Sequence, residues 1–309
     1  MFTIEPVQPK HYEEALRLIF ATANNRHTSM PANLRATVSL LNSKRCNLYW
    51  VRQRTRIIAA GIAIHNPGRV AIIYYSRCLT ANDIIPFSQL IGNLARSALL
   101  EGADIVEVLL THPSNAEIQA LKMAGFVHLA RLIHMSRPIE NLTPAQSQSD
   151  ELEWNHFNPG DENKLAKMLR EMLVDSLDCP AMQGLRKAED IIEGYKASGI
   201  FRADSWWLPQ WKGNDIGCIL MNDSIVDEQT SFIVYLGVIP RWRRMGFARA
   251  MLRHAFQYAY QRGMKNISLS VDTRNTPAIR LYRQEGFTPI KQQDVFITYI
   301  DAKKQSLPQ

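Results

Sequence analysis

The chain has 309 residues, which exceeds one ordinary core and suffices for two domains of about 150 residues each. Hydrophobic residues make up 46% of it and charged residues 21%, a composition that excludes disordered and collagen-like classes. The formal charge of +7 favours an anionic ligand or partner, such as a phosphorylated cofactor, nucleic acid or an anionic membrane surface.

The cysteines and the N-terminal segment indicate the cellular compartment of the protein and whether it binds metal. The chain has neither a CxxC pair nor a histidine spacing that indicates zinc, so we expect no metal and reduced thiols. The first residues lack a basic segment followed by an apolar core, and no apolar run reaches about 18 residues. We therefore expect a cytoplasmic protein without a membrane partner.

Apolar periodicity predicts a similar series of elements in each half of the chain. In the first half it predicts strands at 2–8, 47–53, 56–65, 70–79, 104–111 and 126–135, and helices at 9–23, 87–102 and 115–125. In the second half it predicts strands at 151–157, 205–211, 215–221, 231–238, 266–272 and 287–292, and helical regions at 161–199, 246–262 and 277–285.

The two halves align with each other. Residues 115–126 match residues 276–287 at an offset of 161 positions, and the same offset places Tyr74 on Tyr235. Between the halves, the stretch ENLTPAQSQSD is polar and without periodicity, which is typical of a linker. The sequence therefore predicts two copies of one mixed α/β (α+β) unit, with domains at 1–140 and 151–309 and a linker at 141–150.

A basic loop follows a continuously apolar strand in the second half, in the stretch GVIPRWRRMGFARA. Such a strand is buried on both faces, and Pro240 stops its ladder. Residues 241–246 then lead into a helix N-terminus, where main-chain amides lack partners and the helix dipole is positive. Because Gly246 has no Cβ, the backbone can approach a ligand closely. The pattern predicts a pyrophosphate site, although a solvated basic turn would explain it equally well.

Two motifs resemble those of the GNAT superfamily of N-acetyltransferases. The stretch GVIPRWRRMGFARAML resembles the pyrophosphate-binding signature (R/Q)xxGx(G/A), with Arg243, Gly246 and Ala248 at its fixed positions. The stretch LSVDTRNTPAIRLYRQEGF resembles the second motif, in which an asparagine follows a strand and a short helix carries a tyrosine before Gly-Phe. The resemblance covers 237–287 directly and 151–300 by element order. It implies two tandem GNAT-like domains, each a mixed, mostly antiparallel sheet flanked by helices.

The resemblance also implies an activity and a set of site residues. The chain would be an acetyl-CoA-dependent N-acetyltransferase, in which a primary amine attacks the thioester directly. Tyr282 would be the general acid, because a phenol with a pKa of about 10 stays protonated at neutral pH and can protonate the departing thiolate. The implied residues that bind acetyl-CoA are Leu236, Gly237, Val238, Arg243, Arg244, Met245, Gly246, Phe247, Ala248 and Asn275.

The sequence shows no clear general base. The nearest acids are Asp227, Glu228 and Asp272, and solvated strand ends explain all three. A lysine amine with a pKa of about 10.4 needs strong deprotonation, whereas an α-amine at about 7.7–8.0 does not, so the missing base favours a low-pKa acceptor. The motifs are also similar to those of ribosomal-protein N-terminal acetyltransferases. We expect a protein N-terminus or a small-molecule amine as acceptor.

Two further stretches bear on the acceptor. Residues 175–186 fall where the first two helices of the family meet and shape the acceptor pocket, but they indicate no particular substrate. The tryptophans of the strand SWWLPQW (Trp206, Trp207 and Trp211) could either line an acceptor site or pack in the sheet.

The first half departs from the motifs at the positions that matter. Its aligned loop has Asp83 and no glycine, Leu121 stands where the other half has Tyr282, and Ser114 stands in place of Asn275. A carboxylate repels pyrophosphate and leucine cannot donate a proton, so the first domain is predicted to be non-catalytic. The layout is similar to that of mycothiol synthase, a tandem member of the superfamily with one active half; the substrates do not follow from it.

Two functions of other classes compete with catalysis. A non-catalytic acetyl-CoA sensor or scaffold would bind the thioester without releasing CoA. A nucleic-acid-binding protein would lose affinity steeply with salt, but the sequence has no pattern typical of an RRM, KH or helix-turn-helix domain. We expect acetyl-CoA and an amine as the partners and no nucleic acid.

Overall fold

The computed structural model describes residues 2–23, 41, 46–76, 81–139 and 151–299. They fall into two compact units, of which the first comprises Met1–Ala130 with Gln293–Gln309 and the second comprises Arg131–Gln292. The predicted linker at 141–150 lies outside the described residues. Among the described helices, none is long and apolar enough to cross a membrane.

The first unit is one sheet with helices packed on it. Its strands are β1 (Thr3–Pro6), β2 (Cys46–Gln53), β3 (Arg56–Asn66), β4 (Val70–Tyr75) and β5 (Ile105–Leu110), and its helices are α1 (Tyr12–Ala23), α2 (Ile84–Leu100) and α3 (Asn115–Met123). Neighbouring strands are antiparallel along β1 to β4, and β4 pairs with β5 in parallel. This mixed, mostly antiparallel sheet confirms the predicted fold class.

The second unit has the same architecture. Its strands are β6 (Val127–Pro138), β7 (Leu152–Glu153), β8 (Trp206–Trp207), β9 (Gln210–Trp211), β10 (Asn214–Asp215), β11 (Gly217–Asp223), β12 (Thr230–Val238) and β13 (Asn266–Asp272). Its helices are α4 (Glu162–Leu173), α5 (Ala188–Ala197), α6 (Phe247–Gln261) and α7 (Thr276–Gln284). The main sheet has the order β6-β13-β12-β11-β8, in which only β12 and β13 are parallel, and β10, β9 and β7 form a small second sheet.

Each unit is completed by the final strand of the other half of the sequence. The last strand of the chain, β14 (Thr288–Tyr299), pairs antiparallel with β5 in the first unit, from Asp294 opposite Leu110 onward. Strand β6, which ends the first half, pairs antiparallel with β13 in the second unit. The compact units therefore do not follow the predicted division at 141–150. Alternation along a strand reveals its buried face but not the edge with which it pairs.

The aligned ends of the two halves adopt the same local structure. Ser114 caps α3 and Asn275 caps α7, and each side-chain oxygen accepts a hydrogen bond from the amide three residues later. Gly125 and Gly286 follow these helices with φ of 85° and 86°, a conformation that favours glycine. Local structure thus repeats at the offset that the sequence shows.

A buried carboxylate ties together the second unit at the end of β11. Asp223 accepts hydrogen bonds from Arg262 at 2.6 Å, Arg202 at 2.7 Å and Ser231 at 2.9 Å. Burial alone would raise the pKa of Asp223, but these hydrogen bonds lower it from 3.8 to about 2. Because the folded pKa lies below the unfolded value, this carboxylate stabilises the fold above pH 4 and loses that effect as the pH falls towards 2.

We expect Asp223→Asn to lower the free energy of unfolding by about 2 kcal/mol at pH 7, since a pKa unit corresponds to about 1.4 kcal/mol. Urea unfolding between pH 2 and 5 should show a flatter acid dependence in the variant than in the wild type. Glu153→Gln, which removes an exposed carboxylate, is the control and should leave that dependence unchanged. Parallel pH curves for Asp223→Asn and the wild type would contradict this account.

Candidate functional site

Strands β12 and β13 separate halfway along their length and leave a wedge. They pair from Thr230 opposite Asn266 to Ile233 opposite Leu269. Beyond that point β12 continues along β11, and β13 continues along β6. In the described part of the chain, the edge of β12 that faced β13 therefore has no strand partner from Val234 onward. A cavity of about 530 Å³ opens at this place.

The cavity brings together nearly all the predicted site residues. Of these, Met245 does not line it and is partly exposed on the loop before α6. The predicted residues that line it are Leu236, Gly237, Val238, Arg243, Arg244, Gly246, Phe247, Ala248, Asn275 and Tyr282. Gly237 and Asn275, which are 38 positions apart in the sequence, thus line the same cavity.

Main-chain amides without acceptors lie at one end of the cavity. Arg244 and Gly246 have φ of 64° and 86°, so the loop turns sharply before α6 begins. Among the described residues, no carbonyl or side chain accepts a hydrogen bond from the amides of residues 244–249. Unpaired amides at a helix N-terminus, where the dipole is positive, form an anion site.

The arginines of the loop have different roles. Arg243 donates hydrogen bonds to three carbonyls, that of Val238 at 3.1 Å and those of Met172 and Val174 at 2.9 Å each. Its guanidinium therefore fastens the loop to the end of α4 and is already occupied. Arg244 is exposed, and no carboxylate in the described ranges pairs with it. Arg244 is therefore the arginine whose guanidinium is open to an anion at the cradle formed by the main-chain amides of residues 244–249, whereas the guanidinium of Arg243 is engaged.

This division of roles predicts two distinct losses. Arg244→Ala should weaken acetyl-CoA binding about 10-fold, since a charge-assisted hydrogen bond contributes about 1.5–3 kcal/mol, with little change in stability. Arg243→Ala should instead lower the melting temperature, because three carbonyls lose their donor. Calorimetric titration and thermal unfolding of both variants test the assignment; reversed effects would contradict it.

Gly237 lets side chains approach the wall of the wedge. A Cβ at this position would lie 2.7 Å from the sulfur of Met172 and 2.8 Å from the hydroxyl of Tyr235. Both distances are shorter than a van der Waals contact. The glycine is therefore required by the packing of α4 against β12, in addition to any role towards a ligand.

Tyr282 lies on α7 with its side chain facing inward. It is 8% exposed and packs on Phe287 with ring centroids 5.8 Å apart. Its hydroxyl has no hydrogen-bond partner within the described ranges. Burial and the nearby carboxylate of Asp178 both raise the pKa of Tyr282. The phenol therefore stays protonated throughout the physiological pH range, as a proton donor requires.

Asn275 has a structural task as well as a place in the cavity. Its carbonyl oxygen accepts a hydrogen bond from the amide of Ala278 at 3.3 Å and so caps α7. The amide nitrogen of the same side chain has no protein acceptor in the part of the chain described. Asn275 can therefore hold the helix and present a donor to a ligand at the same time.

Asp178 is a cavity residue that sequence reasoning did not single out. It lies between α4 and α5, inside the segment 175–186 that was expected to shape the acceptor pocket. Its Oδ1 accepts a hydrogen bond from the main-chain amide of Asp272 at 3.0 Å. The position of the segment was the available signal, but the sequence does not show which of its residues turns inward.

The three acids considered from the sequence lie elsewhere or are occupied. Asp227 and Glu228 are exposed in the turn between β11 and β12, at the opposite end of β12 from the wedge, and Asp227 accepts hydrogen bonds within that turn. Asp272 is fully buried, and its carboxylate pairs with Arg274 at 2.5 Å. Burial works to raise the pKa of Asp272, but the hydrogen bonds from Arg274 outweigh it and lower that pKa.

The tryptophans of the strand SWWLPQW pack in the second unit and do not line the cavity. Trp206 and Trp207 are fully buried, and Trp211 packs on Trp242 and Phe247 with ring centroids 5.5 and 5.6 Å apart. Of the two uses considered from the sequence, packing is the one observed. No group of three or more His, Cys, Asp or Glu side chains in the described ranges could hold a metal ion.

The equivalent place in the first unit is filled by an aromatic pair. Phe87, which aligns with Ala248, is 1% exposed and packs edge-on against Tyr75 with ring centroids 4.8 Å apart. Leu121, which aligns with Tyr282, is fully buried in the core. A phenylalanine therefore occupies the position at which the second unit has a small residue beside its cavity.

The second half of the chain resembles known acetyltransferases in sequence. Residues 170–287 match the sequence profile of the acetyltransferase (GNAT) family. The chain is 26% identical over 120 residues to N-acetyltransferase family 8 member 7 from Mus musculus, covering 38% of this chain and 51% of that protein. It is 25% identical over 169 residues to mycothiol acetyltransferase from Thermobispora bispora, covering 53% and 56%. The chain thus spans about half the length of these curated relatives.

Solved structures resemble the fold over nearly the whole chain. A GCN5-related N-acetyltransferase from Sphaerobacter thermophilus superposes with a TM-score of 0.64 at 17% identity, covering 96% of this chain and 95% of that one. A tandem GNAT protein from the clavulanic acid biosynthesis pathway gives a TM-score of 0.58 at 11% identity, covering 97% and 98%. At these identities the likeness shows the fold alone.

Proposed function

We propose that the chain transfers the acetyl group of acetyl-CoA to a primary amine, in keeping with the match of residues 170–287 to the acetyltransferase (GNAT) family. The observation that carries the proposal is the wedge between β12 and β13, which ends at the unpaired amides before α6. A diphosphate carrying an extended arm is complementary to such a site. The residues present therefore fit acetyl-CoA.

Each part of the wedge has a task in binding. The free edge of β12 at Leu236–Val238 offers main-chain groups to the amides and carbonyls of the pantetheine arm, as an added strand would. The amides of residues 244–248 hold the pyrophosphate, with Arg244 supplying a positive charge. Asn275 adds a side-chain donor towards the arm. Together these contacts fix the thioester beside Tyr282.

In the proposed reaction the amine attacks the thioester directly. The amine nitrogen bonds to the carbonyl carbon, the carbon–sulfur bond breaks, and the thiolate leaves. Tyr282 donates its hydroxyl proton to that thiolate, for which its burial in the cavity and its raised pKa suit it. The acceptor is a protein N-terminus or a small-molecule amine.

We also propose that the first unit takes no part in catalysis. The place that corresponds to the cradle has Phe87 in the core, and the position of the proton donor has Leu121. Neither side chain can bind a phosphate or donate a proton.

Two measurements test the proposed function. Titration calorimetry with acetyl-CoA should show one site per chain, since a single unit carries the cradle. A panel of amines, including peptides with free N-termini and lysine side chains, should then release CoA, detected with a thiol reagent. Binding without CoA release would favour the sensor or scaffold. Absence of binding would refute the acetyl-CoA site itself.

A further inference from the structure

The wedge contains a carboxylate for which the reaction described so far has no use. Asp178 lines the same cavity as Tyr282 and comes from the loop between α4 and α5, whereas Tyr282 comes from α7. A charged side chain that is partly buried in a cavity loses hydration, which is costly unless the side chain is held by partners or used. Its surroundings therefore decide what it can do.

Asp178 is held by a reciprocal pair of hydrogen bonds at the end of β13. The amide of Asp272 donates to Oδ1 of Asp178 at 3.0 Å, and the amide of Cys179 donates to Oδ2 of Asp272 at 3.2 Å. The second oxygen of Asp178 has no hydrogen-bond partner among the described residues. One oxygen thus fixes the carboxylate, and the other is available to a ligand.

The charged and titratable groups around Asp178 tune it as a base. Asp272 faces it from the end of β13, Arg274 follows that strand, and three tyrosines face it from β12, α5 and α7, namely Tyr235, Tyr195 and Tyr282. Burial raises the pKa of Asp178, and the negative charge of Asp272 raises it further. The hydrogen bond from the amide of Asp272 and the positive charge of Arg274 lower it. The net effect is a raised pKa. A carboxylate of raised pKa accepts a proton more readily.

We propose that Asp178 is the general base, which takes the proton that the amine loses as its nitrogen bonds to the thioester carbonyl carbon. This inference rests on the proposed function. The proton balance is then complete, because the amine gives one proton to Asp178 and the departing thiolate receives one from Tyr282. Both groups line one cavity, so the acid and the base act on the same bound amine and thioester.

The assignment changes what is expected of the acceptor. The sequence alone favours an amine of low pKa, because it shows no clear general base. With Asp178 in the cavity that reason no longer holds. A cationic amine of either the α-amino or the lysine type gives its first proton to Asp178, which releases it to water, and its second proton to Asp178 as the nitrogen bonds to the carbonyl carbon. The anionic carboxylate also attracts an acceptor that arrives as an ammonium ion.

The test compares Asp178→Asn with the wild type. Asparagine keeps an oxygen to accept the hydrogen bond from the amide of Asp272, so the loop should stay in place. We expect kcat to fall about 10²-fold, within the range for general base catalysis, while the Kd for acetyl-CoA changes less than about twofold. The acid limb of the kcat profile, which reports groups in the bound complex, should disappear in Asp178→Asn, whereas kcat/KM should still rise with pH as more free amine forms in solution.

The matched control is Glu228→Gln, which removes an exposed carboxylate outside the cavity and should leave kcat and the pH profile unchanged. Wild-type activity or an unchanged acid limb in Asp178→Asn would overturn the inference. Parallel losses of acetyl-CoA affinity and melting temperature in Asp178→Asn would also overturn it, by showing a structural role. If the wild type binds acetyl-CoA but acetylates no amine, the proposed function fails instead.

Discussion

Tyr282→Phe is expected to lower kcat by about 10²–10⁴-fold, the usual contribution of a positioned general acid. The substitution removes only the hydroxyl, which has no hydrogen-bond partner among the described residues, and keeps the ring that packs on Phe287. The fold and the cofactor wedge should therefore survive. The Kd for acetyl-CoA, measured by calorimetry, should stay within about twofold of the wild type, because the phenol interacts with the thiolate only as it leaves.

The control for this variant is Tyr260→Phe on α6, where a tyrosine that is 52% exposed loses its hydroxyl outside the cavity. Its kcat should equal that of the wild type. The acceptor amine and pH must be the same for all three proteins, since a change in the amine alters the rate by itself. Equal kcat values for Tyr282→Phe and the wild type would remove Tyr282 from the mechanism.

Much of the site could be predicted from the sequence because its parts are local. The loop before α6 and the segment around α7 each depend on a few neighbouring residues, such as Gly246 with its positive φ and Asn275 with its capping oxygen. Short motifs describe such geometry well. The repeat was visible for the same reason, since Ser114 and Asn275 cap helices at equivalent positions.

The parts that were missed depend on contacts between distant residues. Asp178 is directed into the cavity by an amide 94 positions away, and Arg243 is occupied by carbonyls of α4 that its own neighbourhood does not reveal. The final strands of the two sequence halves are likewise exchanged: β6 pairs with β13, and β14 pairs with β5. Which sheet edge each strand joins depends on contacts between distant residues. Periodicity carries no information on such choices.

Gly246→Val is expected to weaken acetyl-CoA binding about 10²–10³-fold, because two or more hydrogen bonds to a charged phosphate, each contributing about 1.5–3 kcal/mol, would be lost. Gly246 precedes α6 with a φ of 86°, which a β-branched residue adopts only with strain. The valine would therefore shift the backbone that aims the unpaired amides. Its side chain would also occupy the space that the phosphates approach.

A control variant must distinguish the effect of backbone strain from the loss of the amides that bind the diphosphate. The glycine at the other end of α6 provides this control. Gly263 follows that helix with a φ of 73°, and a Cβ there would meet no atom within 4 Å. Gly263→Val imposes comparable strain far from the cavity, so both variants should lose similar amounts of thermal stability, about 1–3 kcal/mol. Only Gly246→Val should lose acetyl-CoA affinity in calorimetric titrations. Equal affinities in the two variants would mean that the turn before α6 does not bind the diphosphate.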